Sequence, residues 1–94
     1  MSGRGLEWDD MGIHFVIALA TCLITGLVGN VLGIGWIVWI MVVANLVVWF
    51  MRERATQDFQ WNLFNWGPRG KSEFAAGAVG AFAGTALFYL YLSL

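Results

Sequence analysis

From Met11 to Met51 the chain carries no charged side chain over 41 residues. As one helix this stretch would extend about 60 Å, roughly twice the ~30 Å hydrocarbon core of a bilayer. It therefore has to fold back on itself. Near its middle lies "TGLVGNVLG", Thr25 to Gly33, where Gly26, Gly29, Asn30 and Gly33 supply turn chemistry: glycine and asparagine tolerate positive φ, and asparagine can bond its own backbone. A split at Gly29-Asn30 leaves two apolar segments, 11–28 and 31–51, each close to the ~20 residues a span requires. A third uncharged run, 74–94, is again long enough to cross. The expected fold class is all-α: a polytopic membrane protein of three transmembrane helices, a helical hairpin plus a third span. All 94 residues form one membrane domain, with an interfacial loop over 52–73.

Composition agrees. Hydrophobic residues make up 60% and charged residues 12%, against roughly 25% charged in soluble domains, and the mean hydropathy is +0.72. The formal charge of -1 and the lack of a basic run exclude a nucleic-acid partner. The single cysteine, Cys22, forms no intrachain disulfide, so helix packing must hold the fold. "LATC", Leu19 to Cys22, loosely matches a lipidation signal. The acidic "MSGRGLEWDD" before it and the apolar chain after it argue for an uncleaved membrane segment instead.

Orientation follows from the cations. Arg52, Arg54, Arg69 and Lys71 lie between spans two and three, and Arg4 precedes span one. The positive-inside rule places the N-terminus and the 52–73 loop in the cytoplasm and the C-terminus outside, across an inner (cytoplasmic) membrane. Trp8, Trp49, Trp61 and Trp66 are expected as interfacial anchors on the inner side, with Trp36, Trp39, Tyr89 and Tyr91 toward the outer one.

A hairpin centred on Gly29-Asn30 sets His14 level with Asn45. Both are expected on the inward face, bonded directly or through water, because an unpartnered polar group in hydrocarbon costs several kcal/mol. The alternative makes His14 a proton relay or an axial donor to haem or chlorophyll. The same register brings Glu7, Asp9 and Asp10 near Arg52 and Arg54, and Arg54 can pair with Asp58 at i,i+4. No histidine, cysteine and carboxylate set shows metal-ligand spacing, and there is no nucleophile with a base, no phosphate loop and no paired intramembrane carboxylates. Neither a cofactor, a metal nor an enzymatic activity is expected.

Small residues recur at four-residue spacing in span three: Ala76, Gly80 and Gly84 share a face, with Gly77 and Ala81 beside it. "GAFAG", Gly80 to Gly84, is a GxxxG pattern, whose missing side chains let backbones approach closely. The face meets either the hairpin of its own chain or a neighbouring subunit. In the loop, "FQWNLFNW" suits a segment lying in the interface plane, ended by Gly67-Pro68.

"FMRERATQ", "WNLFNW" and "KSEF", together covering roughly Val47 to Ala76, resemble small membrane proteins encoded by tailed phages. The length and three spans are similar to those of holins, which gather in the inner membrane and open it. That resemblance implies a homo-oligomer with the lipid bilayer as its medium. The N-inside orientation and the uncharged end "YLYLSL" depart from the usual three-span pattern. The other reading from the sequence is an accessory subunit docked on a larger respiratory, photosynthetic or transport complex.

Overall fold

The computed structural model describes residues 8–56 and 61–94. Its first helix, α1 (Trp8–Val31), stops at Gly33, which takes φ +81°. The Ile34 N–H reaches back to the Gly29 carbonyl at 2.7 Å and the Gly33 N–H to that of Asn30 at 3.1 Å. This double bond pattern is the Schellman motif, which closes a helix around one left-handed residue and favours glycine there. A short turn leads into α2 (Ile37–Thr56), whose first three amides bond the carbonyls of Ile34, Gly35 and Trp36. A single 3-10 turn, Leu63–Asn65, is capped by the Asn62 side chain. The last helix, α3 (Pro68–Ser93), opens with proline, whose missing N–H would have had no helical partner.

The reversal thus falls near Gly33, about one helical turn later than Gly29-Asn30. Of the four residues expected in the turn, only Gly33 has the backbone of one. Gly26, Gly29 and Asn30 are in α1. Gly26 lies under the Phe88 ring and Gly29 against Ile37, so both serve close packing. A glycine tolerated inside a helix by its neighbours does not end it; the positive φ does.

This shift shortens the second apolar segment. The uncharged part of α2, from Ile37 to Met51, has 15 residues, about 22 Å of helix. Two helices, not three, are by themselves long and apolar enough to cross a membrane: Asp9–Val31 and Gly70–Ser93. The chain is all-α, with three α-helices and no strand among the described residues.

Each helix contributes one buried stripe whose members recur at three- and four-residue steps or their multiples. In α1 it is His14, Ala18 and Cys22, in α2 Val38, Val42, Asn45, Trp49 and Glu53, and in α3 Glu73, Ala81, Thr85 and Phe88. Most of these side chains are small, so the helices approach closely. The tightest seam joins α1 and α3, where Gly80 rests on the Phe15 backbone and Gly84 on that of Leu19. Gly77, about one turn before Gly80, receives the Trp49 indole of α2. Ala81 is fully buried, and Ala76 borders a shallow groove with Met11, Gly12 and Phe15. The small-residue face of α3 is therefore filled by its own chain.

Candidate functional site

The start of α1, the end of α2 and the start of α3 meet at one end of the bundle, and each presents an ionisable side chain inward. His14, Glu53 and Glu73 are exposed by only 4%, 3% and 2%. One ligand atom from each can be chosen so that all lie within 4.8 Å of one another. Burial of two carboxylates and an imidazole is costly unless they are bonded and their charge is offset, and one cation, Arg52, reaches all three.

Arg52 supplies the positive charge. Its Nη1 lies 2.8 Å from His14 Nε2, 3.1 Å from Glu53 Oε2 and 3.9 Å from Glu73 Oε1. A guanidinium only donates, so Nε2 is the accepting nitrogen. Nδ1 then carries the proton and donates to the Glu73 backbone carbonyl at 3.3 Å. The ring is further fixed by stacking on Trp49, with centroids 4.4 Å apart. Glu53 lies past the uncharged part of α2. Burial first, then the neighbouring Glu73 carboxylate, pushes its carboxyl up to about 7 against the opposing pull of Arg52. The Thr56 hydroxyl lies 3.4 Å from Glu53 Oε1 and donates to it.

A second polar group lies deeper, and it connects to the first through Trp49. The two N–H groups of Asn45 Nδ2 have three acceptors within reach, the Thr21 hydroxyl at 3.1 Å, the Met41 carbonyl at 3.0 Å and the Cys22 sulfur at 3.5 Å, and Oδ1 accepts from Trp49 Nε1 at 3.0 Å. His14 and Asn45 are both inward, as expected, but they have different partners. The reason is the later turn: it moves α2 along α1 so that Arg52 stands opposite His14, and Thr21 and Cys22 stand opposite Asn45.

The expected anchors divide. Trp61 is exposed and stacks under the Arg54 guanidinium, 3.7 Å above its ring. Trp49 is buried as described, and Trp66 is buried among Phe50 and Phe74, so neither is a surface anchor. The side chain of Trp8, Glu7 and the Asp58 partner expected for Arg54 lie outside the described residues. At the far end of the bundle Trp39 donates to the Tyr89 hydroxyl at 2.8 Å, and both rings are exposed.

Glu53 and Glu73 were missed as site residues because both read as loop charges. A usable signal existed. Glu53 continues the Asn45, Trp49 spacing by one more step of four, and Glu73 stands four residues before Gly77, so each extends an inward stripe. Chemically the cluster can hold a proton or a cation, and it fastens three helices at one end. Comparison of the chain with protein-family models, with curated proteins and with solved structures finds no match.

Proposed function

We propose that this chain is a non-enzymatic integral membrane protein that crosses the inner membrane three times and acts by lateral association, as a holin-like oligomer that permeabilises the bilayer. The observation that carries the reading is the inverted distribution of polarity. His14, Asn45, Glu53, Glu73 and Thr85 are buried, while Val16, Ile24, Ile40, Val43 and Val79 are more than half exposed. Only 22% of the most apolar window of α1 and 33% of that of α3 is buried. A water-soluble core helix has the opposite pattern, and lipid is the medium that stabilises this one.

Three further features support it. The long axis of 43 Å is comparable with the ~40–45 Å of a bilayer including its headgroups. The chain segments bearing Arg52, Arg54, Arg69 and Lys71 cluster at the end where α1 begins, in keeping with a cytoplasmic N-terminus. The uncharged part of α2 is shorter than the hydrocarbon is thick, and such mismatch thins the bilayer locally and favours association of helices. Because the glycine face of α3 is occupied within the chain, association uses the exposed apolar faces, and the buried polar side chains would meet water once the helices part.

The occupied glycine seam also favours a second reading, an accessory subunit. A bundle already closed on itself can dock as a unit on a larger membrane complex. Induced expression in cells carrying a potential-sensitive dye separates the two. The holin-like reading expects the potential to collapse and the mild-detergent particle to contain several copies of this chain alone. A harmless chain recovered with other proteins would favour the subunit.

A further inference from the structure

We propose that His14 Nε2 and the carboxylates of Glu53 and Glu73 form a binding site for a divalent transition-metal cation of the zinc class, in which Arg52 takes the place of the metal when none is bound. The three groups come from three helices, and all are more than nine-tenths buried. Their ligand atoms lie within 4.8 Å of one another, so rotamer adjustments of about 1 Å bring them to the separation that a metal with ~2.0–2.2 Å bonds requires.

Two independent features point to a cation rather than to a simple ion-pair clasp. First, the imidazole is oriented as a metal ligand normally is. Its Nδ1 is held by the Glu73 backbone carbonyl at 3.3 Å, which leaves the Nε2 lone pair to a cation: it accepts from Arg52 Nη1 at 2.8 Å and lies 4.0 Å from Glu73 Oε1. Second, a positive nitrogen already lies among the three ligand atoms: Arg52 Nη1 is 2.8 Å from Nε2 and 3.1 Å from Glu53 Oε2. That nitrogen belongs to a side chain that is 54% exposed, whereas Glu53 and Glu73 are 3% exposed. The ligands are fixed and the stand-in is free to swing outward. A guanidinium offsets one of the two carboxylate charges, and a divalent ion offsets both. Imidazole with two carboxylates suits zinc or manganese among the common divalent ions, with a fourth position left to water.

The test is a titration of the full chain, purified in detergent and stripped with chelator, with Zn2+ alone, with Mn2+ alone, and with Co2+ followed by its visible absorption. Saturable binding near one ion per chain is expected, with loss of about 10–100-fold in affinity for His14→Gln and for Glu53→Gln. Arg52→Met is expected to bind about tenfold or more tightly, because a competing positive charge is gone. Circular dichroism confirms that each variant is helical. No saturable binding of any of the three ions by the unsubstituted chain overturns the proposal, whatever the variants do, and so does binding that His14→Gln and Glu53→Gln leave unchanged. Neither readout depends on whether the membrane is permeabilised.

Discussion

Gly80 of α3 rests on the backbone of Phe15 in α1, so closely that a Cβ built on it would stand 2.9 Å from the Phe15 Cα. One turn later Gly84 meets Leu19 in the same way, with its Cβ 3.0 Å from the Leu19 Cα. Backbone atoms cannot step aside as a flexible side chain can. Gly80→Ile and Gly84→Ile are therefore expected to lower the stability of the isolated chain by about 1–3 kcal/mol or more through overpacking. Trp36→Phe, at an exposed site, should stay within about 0.5 kcal/mol. Thermal unfolding of a single-copy detergent particle checks this. Equal tolerance of all three substitutions would mean that α3 does not pack on α1.

Gly33 and Gly12 form a contrasting pair. At Gly33 nothing lies within 4 Å of a built Cβ, yet φ is +81°. Gly33→Ala is expected to cost about 1–2 kcal/mol from the left-handed backbone alone, and Gly33→Asn less. Gly12 is also in open space but helical, so Gly12→Ala is expected to stabilise by about 0.5–1 kcal/mol. Melting temperatures that move in the same direction for the two alanine variants would contradict the turn assignment.

Asn45 bonds Thr21 and Trp49 at once; its removal takes the acceptor from the Trp49 N–H, while the Thr21 hydroxyl keeps its bond to the Ala18 carbonyl at 3.1 Å. Interhelical bonds of this kind average about 0.6 kcal/mol in membranes and reach about 1.7. The bond from Asn45 to Thr21 joins α2 to α1, so a double-mutant cycle of Asn45→Leu with Thr21→Val is expected to show coupling in that range. Additive effects would place the two side chains in separate environments.

The pH dependence has a definite sign. Glu53 titrates at about 7 in the folded chain, against an ordinary value of 4.5. The folded state holds this proton more tightly than the unfolded one, so its contribution to stability is complete below about 4.5 and is lost as pH rises through about 7. Measured with chelator present, the melting temperature is expected to fall between about pH 5 and pH 8, and Glu53→Gln should flatten that part of the profile. A melting temperature that climbs over the same interval would show that the carboxyl is not buried beside Glu73.

The apolar character and helical class of the chain were legible at once, because they depend on local content: 41 uncharged residues have no alternative to folding back, and a second run of similar composition repeats the pattern near the end. The inward placement of His14 and Asn45 was legible for the same reason, since each is a rare polar group among apolar neighbours. The position of the reversal was not. Four candidate residues share the same permissive chemistry, and only the packing of Phe88 on Gly26 and of Ile37 on Gly29 shows that α1 continues through the first three.

By itself the sequence determined three apolar segments, a glycine face on the last of them and cations at one end, because these are properties of composition and spacing. Tertiary structure decided the rest: which helix fills the glycine face, how far α2 slides along α1, and that Glu53 and Glu73, charges flanking a loop, close over His14. A shift of one turn at Gly33 leaves each helix locally unchanged yet alters every partner between α1 and α2. Helix faces recur every 3.6 residues, so neighbouring registers are nearly equal in local energy, and only the fit of particular side chains across the bundle selects one.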